Sequence, residues 1–266
     1  MAARSGAALV SATVPFPCPD AAAVVAGVAA ALTPRTRLAV IDHVTSHSAL
    51  VLPLADIVAA CHAQSVPVLA DGAHGPGNLD LDIPATGADY YAGNCHKWLS
   101  APKGCAFLWV RPERQAGLHP VTISHGYEQG FLAEFDWTGT RDFSAWLAVT
   151  AALDFHASLG GPALRARNRA LAAAAGERLA ARLGTGTGAG KASANAMATI
   201  RLPLAGPVTW ARVLALRERL LDAGTDAPVH LIEDAAWLRI SAQAYNDMED
   251  YDRLAGLVAT ALAGET

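Results

Sequence analysis

The stretch VPVLADGAHGPG, residues 66–77, decides the fold that the sequence predicts. Its first six residues form a short, mainly apolar run, which is typical of a strand buried on both faces of a sheet. Glycines and a proline follow directly and indicate a turn at the carboxyl end of that strand. Ligands of open α/β sheets bind at this end of the strands, so Asp71 and His74 are candidate functional residues. The alternative is that Asp71 only caps the turn and that His74 is an ordinary surface histidine.

Strand and helix patterns alternate on both sides of this stretch, which favours βαβ units and a mostly parallel sheet. Asp20 is a plausible N-cap of the first helix. In this half of the chain we predict strands at 7–14, 37–42, 66–71, 90–93 and 106–110, and helices at 21–32 and 53–64.

The second half of the chain has a different pattern, with long helices and isolated short strands. We predict helices at 143–159, 163–183, 208–223 and 248–262, and strands at 198–202 and 237–241. The glycine-rich run 184–190 follows no strand, so we interpret it as a flexible loop rather than a phosphate loop. The predicted fold class is therefore α/β, with a large domain at 1–150 and an α+β small domain at 151–266.

Composition excludes several classes of protein. The chain has 266 residues, 52% of them hydrophobic and 17% charged, which is enough apolar material for a large core. Its net charge of −4 gives no global field for binding nucleic acid. No apolar run approaches the roughly 20 residues of a membrane-spanning helix. Four cysteines without zinc-site spacing predict reduced thiols in a cytoplasmic protein.

A second cluster, NCHKWLSAPKG at 94–104, places Lys97 between two apolar strands. Burial of a lysine lowers its pKa and favours Schiff-base chemistry. The alternative is a lysine that extends its charged end into water. A third cluster pairs WTGTRD at 137–142 with LRISAQAYN at 238–246, where Thr138, Thr140 and Arg239 are residue types that bind anions.

Two other kinds of site are alternatives to these clusters. A metal site is one alternative, since several potential ligands follow predicted strands. These potential ligands are Asp42, His43, Asp71, His74 and His96. No HxxxH or HxH spacing links them. A Ser-His-Asp hydrolase is the other alternative, but the chain has no GxSxG turn.

Taken in order, the motifs resemble the fold-type I, pyridoxal-phosphate-dependent class V aminotransferase superfamily, and within it the isopenicillin N epimerase-like branch. The motifs that carry the resemblance are IDHVTSHSALVLP at 41–53, DGAHGPG at 71–77, NCHKWLSAPKGCAFLW at 94–109, SHGY at 124–127, WTGTRDFSAWLA at 137–148 and LRISAQAYN at 238–246. They cover nearly the whole chain, and their combination is more specific than any one of them.

The resemblance implies a cofactor, pyridoxal 5'-phosphate, and roles for three central residues. Lys97 matches the lysine that bonds the cofactor covalently. Asp71 matches the aspartate that pairs with the pyridine nitrogen and keeps the ring protonated, so that the ring draws electrons from the substrate Cα. His74 falls where the family has a glutamine or histidine that bonds the phenolic oxygen of the cofactor.

The resemblance also implies roles at the periphery of the site. His96 matches a phosphate-binding histidine, and Asn94 stands where a phosphate-binding serine is common. Thr140 matches a motif that reaches the phosphate bound by a partner subunit, which implies a homodimer with shared active sites. Arg239 matches the arginine that binds the substrate carboxylate. Ser46 falls where relatives often have a cofactor-binding asparagine.

Relatives in this branch carry a substantial N-terminal portion that has no counterpart before about Gly6. That portion holds the helix N-terminus that binds the phosphate, so we expect an N-terminally incomplete large domain. The predicted activity is bond-breaking at the Cα of an amino acid or peptide-like amine, by epimerisation, transamination or elimination. Residues 227–237 contain no cysteine, which counts against a cysteine desulfurase. The alternative function is a non-catalytic fragment that associates with a full-length relative.

Overall fold

The computed structural model describes residues 2–189 and 194–264, which form two compact units. The sheet unit comprises 34–43 and 54–158, and the C-terminal unit comprises 2–33, 44–53 and 159–264. The strands are β1 Ala39–Asp42, β2 Val68–Asp71, β3 Tyr90–Asn94, β4 Ala106–Val110, β5 Met197–Arg201, β6 Val229–Ile232 and β7 Ala235–Ser241. The α-helices are α1 Ala21–Ala31, α2 Leu54–His62, α3 Phe131–Asp136, α4 Ser144–Leu147, α5 Val149–Ser158, α6 Pro162–Leu183, α7 Trp210–Asp222 and α8 Met248–Ala263.

The sheet unit is built on four strands in the order β1-β2-β3-β4. The first three are parallel, and β4 runs antiparallel to β3, so the predicted mainly parallel sheet is confirmed. The pairings Asp42 with Asp71 and Asp71 with Ala92 bring the carboxyl ends of the parallel strands to one edge. This edge is where an α/β sheet offers room for a ligand.

A buried carboxylate ties the opposite end of the same sheet together. Asp89, just before β3, accepts hydrogen bonds from His62 at 2.8 Å, the Val68 amide at 2.8 Å and Arg114 at 2.9 Å. Burial alone raises the pKa of Asp89, but these hydrogen bonds outweigh it and hold the pKa below its ordinary value. The network joins α2, β2 and the segment after β4 to one side chain.

The helices of the sheet unit agree with the sequence only in part. The predicted helix at 53–64 is present as α2, and Ile57 and Cys61 on it are fully buried. The single helix predicted at 143–159 is wrong, because α4 ends before Ala148 and α5 begins at Val149. The sequence prediction also missed α3, which has only six residues.

The C-terminal unit packs a three-stranded antiparallel sheet, β5-β7-β6, against α6, α7 and α8. Its core is the helix-facing side of that sheet, and it contains fully buried residues from the sheet and from all three helices. They include Leu179, Ile200, Leu216, Leu238 and Val258. Asp20 caps α1 by accepting the Ala23 amide at 2.8 Å, as its position in the sequence predicted.

The other side of this small sheet holds the segment 44–53. The Thr199 hydroxyl donates to the Ser48 carbonyl at 3.1 Å, and the Asn195 amide donates to the Ala49 carbonyl at 2.8 Å. These contacts join 44–53 to the C-terminal unit, whereas the sequence assigned 1–150 to a single domain. The C-terminal unit therefore consists of three chain segments. The last of these begins at residue 159, whereas the small domain was predicted to begin at 151.

Residues 7–14 form no strand, contrary to the sequence prediction. Thr13 packs against α1, close enough that a Cβ at Gly27 would lie 2.3 Å from the Thr13 carbonyl oxygen. Leu9 and Val10 are exposed, and no strand of the described residues pairs with them. Of the predicted loop 184–190, Gly190 lies outside the described residues. None of the helices that the structure describes is long and apolar enough to cross a membrane.

Candidate active site

The candidate active site lies at the edge where the parallel strands of the sheet unit end. Asp71 is the last residue of β2, and Asn94 is the last residue of β3. The Asp71 side chain is exposed, and its Oδ1 accepts the Ala73 amide at 2.9 Å. Asp71 thus caps the turn, as the structural alternative proposed, and also presents a carboxylate at the predicted position.

The turn after β2 places His74 between two side chains of the segment after β3. The His74 Nε2 atom lies 3.1 Å from the Lys97 Nζ, and the Trp98 indole N–H donates to His74 Nδ1 at 3.2 Å. His74 and Trp98 are buried, whereas Lys97 is partly buried. The structure therefore brings two of the three predicted central residues, Lys97 and His74, into direct contact.

The Tyr91 side chain packs against the glycines of the turn after β2. Its ring is fully buried, and a Cβ at Gly72 or Gly75 would come within 2.4 Å of its atoms, so only glycine fits there. The Tyr91 hydroxyl lies 3.0 Å from His43 Nδ1. Burial and the Asp71 charge raise the pKa of Tyr91, and burial lowers the pKa of His43, so both shifts favour the neutral form.

The residues predicted to bind phosphate lie in the sheet unit as well. His96 Nδ1 is buried and has no hydrogen-bond partner within the part of the chain that the structure describes. Thr140 is exposed in the loop after α3, beside Gly139 at a positive φ of 108°. A carboxylate, an amine and an unsatisfied buried imidazole fit a pyridine nitrogen, an aldehyde and a phosphate, which are the functional groups of pyridoxal phosphate.

Arg239 and Ser46 belong to the C-terminal unit. Arg239 on β7 donates through Nη1 to the Ser46 carbonyl at 2.6 Å and to the Ser46 hydroxyl at 3.3 Å. Its Nε is buried without a partner among the described residues. Burial first, and then the charge of Arg217, lower the pKa of Arg239. A guanidinium with an unpaired N–H is suited to bind a carboxylate.

Sequence reasoning missed a histidine pair in the same unit. His47 and His230 stack with ring centroids 4.3 Å apart. Burial lowers the pKa of His230 to about 4, with smaller contributions from His47, Arg239 and Arg217. Nothing in the sequence signals this contact, because 183 residues separate the two histidines. The sequence also gave no sign of the hydrogen bond between Trp98 and His74.

The residues considered for a metal site do not form one in the described chain. Across the described residues 2–189 and 194–264, no three His, Cys, Asp or Glu side chains are grouped so that they could hold a metal ion. His43 instead contacts Tyr91, and His74 contacts Lys97 and Trp98.

Comparison with known proteins identifies the class. Residues 12–254 match the family model described as aminotransferase class-V. The chain therefore belongs to the class V aminotransferase family, whose cofactor is pyridoxal phosphate.

Relatives within the family carry two kinds of name. The chain is 38% identical over 268 residues to the isopenicillin N epimerase of Streptomyces clavuligerus, covering 92% of this chain and 65% of that protein. It is 34% identical over 281 residues to the putative L-cysteine desulfhydrase 1 of Oryza sativa subsp. japonica, covering 95% of this chain and 58% of that protein. The chain thus spans about three fifths of the length of these relatives.

Solved structures share the fold. A cystine C-S lyase, C-DES, in complex with its product cysteine persulfide superposes with a TM-score of 0.71 at 23% identity, covering 88% of this chain and 64% of that one. The apo cysteine desulfurase of Thermococcus onnurineus NA1 gives a TM-score of 0.70 at 14% identity, covering 90% and 63%. These likenesses confirm the predicted fold.

Proposed function

We propose that this chain is part of a pyridoxal-phosphate-dependent enzyme that acts at the Cα of an amino acid or a peptide-like amine. One observation carries the proposal: Lys97 contacts His74 at the strand edge that ends in Asp71, in a chain whose residues 12–254 match the class V family. The cofactor, when bound, supplies an electron-withdrawing ring that weakens the bonds to the substrate Cα.

Each of several side chains of the sheet unit would bind a different group of this cofactor. The Lys97 amine would bond the cofactor covalently, and once the substrate amine displaces it, the freed amine would be the basic group that takes the Cα proton. The Asp71 carboxylate keeps a proton on the pyridine nitrogen. His74 orients the Lys97 amine and the phenolic oxygen. Asn94 and the unsatisfied Nδ1 of His96 donate to the phosphate.

The side chains of the C-terminal unit bind the substrate. Arg239 binds the α-carboxylate, because guanidinium and carboxylate form paired, charge-assisted hydrogen bonds. Its contacts with the Ser46 carbonyl and hydroxyl fix the orientation of the guanidinium. We also propose Ser46 as a cofactor-binding residue, as the resemblance to the family implies.

Two reactions fit better than transamination. Epimerisation, in which the Cα proton is removed and returned to the other face, is supported by the 38% identity to an isopenicillin N epimerase. Elimination with C–S cleavage is supported by the 34% identity to a putative cysteine desulfhydrase. The absence of a cysteine at 227–237 counts against a cysteine desulfurase and leaves such a lyase open. The two reactions share Asp71 and Lys97, so the choice between them rests on the substrate.

The working form is a homodimer in which Thr140 reaches the phosphate bound by the partner subunit. The segment around Thr140 supports this proposal, because it exposes many large apolar side chains. They are Val121, Ile123, Leu132, Trp137, Leu147, Leu153 and Phe155. The cysteines that the structure describes are free thiols, which supports a cytoplasmic location.

Borohydride reduction of protein treated with pyridoxal phosphate, followed by peptide mapping, tests the central assignment. We expect label on Lys97 and its loss in Lys97→Arg, while Lys103→Arg serves as the control at an exposed lysine. Label on Lys103 or Lys191 instead would refute the assignment. If the protein retains no pyridoxal phosphate at all, the alternative of a non-catalytic fragment would be favoured.

Substrate assays then separate the two reactions. Exchange of the Cα proton in deuterated water reports the shared step. Appearance of the opposite configuration at the substrate Cα reports epimerisation. Release of sulfide and pyruvate from L-cysteine reports elimination. Exchange without either product would point to transamination and overturn the preference stated above.

A further inference from the structure

The two ring nitrogens of His74 face groups with different hydrogen-bonding capacity. The Trp98 Nε1 lies 3.2 Å from Nδ1, and the Lys97 Nζ lies 3.1 Å from Nε2. His74 and Trp98 are 8% and 9% exposed, so water competes little for their contact. The position of each proton therefore follows from which group can donate and which can accept.

An indole N–H can only donate a hydrogen bond, so Nδ1 of His74 must be the bare, accepting nitrogen. A neutral imidazole with bare Nδ1 carries its proton on Nε2, which can then only donate. A lysine ammonium can also only donate, and two donors 3.1 Å apart form no hydrogen bond. The arrangement is satisfied when the Lys97 nitrogen is a neutral amine that accepts from His74 Nε2–H.

We infer that Trp98 is a positioning residue that fixes the Nε2–H tautomer of His74 and thereby holds Lys97 as the neutral, nucleophilic amine. The inference rests on the proposed function in that Lys97 is taken to be the reactive amine. It goes beyond that function by assigning a role to Trp98, whose own side chain acts only through His74. Partial burial of Lys97 acts in the same direction, because desolvation disfavours the ammonium form.

The backbone around Trp98 is held closely enough to keep this geometry. Gly77 has a φ of +77°, and a Cβ on it would lie 2.6 Å from the Trp98 carbonyl carbon. The turn that carries His74 thus packs directly on the backbone of Trp98. The Ala101 amide closes the segment after β3 by donating to the Cys95 carbonyl at 3.1 Å.

The test uses the whole chain without added cofactor. Nitrogen-15 NMR of histidine-labelled protein reports the tautomer and the pKa of His74, whose signals are identified by their loss in His74→Gln. Trace acetylation at a series of pH values, followed by peptide mapping, reports the pKa of Lys97, and Lys103 in the same digest is the internal reference. Trp98→Phe removes the indole N–H and keeps an aromatic ring.

Trp146→Phe is the matched control. The Trp146 indole also donates one hydrogen bond, to the Ala106 carbonyl at 3.0 Å, but to a backbone acceptor whose protonation cannot change. A purely structural loss of an indole hydrogen bond would affect both variants alike. Circular dichroism confirms that each variant is folded before its pKa values are compared.

We expect wild-type His74 to be protonated on Nε2 only, and Trp98→Phe to raise the pKa of both His74 and Lys97. A rise of roughly one unit at Lys97 would slow its acetylation about tenfold near neutral pH, with Lys103 unchanged. A proton on Nδ1 of wild-type His74 would overturn the inference even if Trp98→Phe failed to fold. An unchanged Lys97 pKa in Trp98→Phe, or an equal rise in Trp146→Phe, would also overturn it.

The tests of the Trp98 role and of the proposed function can fail independently. The NMR and acetylation measurements concern the protein without cofactor, whereas the borohydride mapping concerns where the cofactor bonds. Label on Lys97 with an unchanged Lys97 pKa in Trp98→Phe would overturn the role of Trp98 alone. Label on another lysine would overturn the proposed function and leave the tautomer of His74 as measured.

Discussion

Arg239 on β7 donates a hydrogen bond of 2.6 Å to the carbonyl oxygen of Ser46, a residue 193 positions earlier in the chain. The segment 44–53 therefore lies on the small sheet and fixes the orientation of the guanidinium before any substrate arrives. Such preorganisation lowers the entropy cost of binding a carboxylate. It also links two predicted site residues that sequence alone places in different domains.

Replacement of Arg239 is expected to weaken substrate binding more than turnover. Arg239→Ala removes a charge-assisted contact with the substrate carboxylate, typically about 1.5–3 kcal/mol, so KM should rise about 10–100-fold. Arg239→Lys should recover only part of this loss, because an ammonium cannot form the paired contact. Steady-state kinetics measure both variants. Arg201→Ala, at an exposed arginine on β5, is the control. A KM unchanged in Arg239→Ala would contradict the role.

Two leucines on α7 test the core of the C-terminal unit. Leu216 is fully buried, whereas Leu214 on the same helix is 41% exposed. Leu216→Ala should lower the free energy of unfolding by about 2–5 kcal/mol, because it leaves a cavity. Leu214→Ala should cost less than about 1 kcal/mol. Urea denaturation followed by circular dichroism measures the difference. Equal losses would show that α7 does not bury the face seen in the structure.

Much of the sheet unit could be predicted from the sequence, because continuous apolar runs and following turn residues identify buried parallel strands. All four strands of this sheet lie where such runs predicted them. Residues 7–14 have a similar pattern, but strand formation needs a neighbouring strand, which local sequence does not show. The prediction missed β6, whose run VHLI is interrupted by His230, whereas the equally short β1 and β2 lie within longer apolar runs.

The candidate site was predictable in residue type but not in its contacts. The turn after a buried strand drew attention to Asp71 and His74, and the apolar surroundings drew attention to Lys97. The contact between His74 and Trp98 joins residues 24 positions apart through two separate turns, and no periodicity reports it. The functional roles of these residues remain predictions, which the labelling and kinetic experiments test.

Gly77 is expected to tolerate no side chain. Its φ of +77° disfavours other residues, and a Cβ would lie within 2.8 Å of three backbone atoms of Trp98 and Leu99. Gly104 also has a positive φ, of +98°, but a Cβ there meets nothing within 4 Å. Gly104→Ala should therefore cost about 1 kcal/mol from backbone strain alone, and Gly77→Ala clearly more. Thermal unfolding ranks them, and equal melting temperatures would contradict the close packing at Gly77.

His230 is expected to destabilise the folded chain in mild acid. Its pKa is about 4 when folded, against about 6.5 for an unperturbed histidine, so between these values the unfolded chain binds more protons. The contribution of neutral His230 to stability is therefore fully present above about pH 6.5 and is lost as the pH falls towards 4. We expect a loss of about 2 kcal/mol, less than the full shift implies because the ring is partly exposed.

His230→Gln should reduce the fall in unfolding free energy between pH 7 and pH 4.5, as measured by urea denaturation. His125→Gln, at an exposed histidine, should leave the fall unchanged. Identical pH profiles for wild type and His230→Gln would show that burial beside His47, Arg217 and Arg239 does not hold His230 neutral.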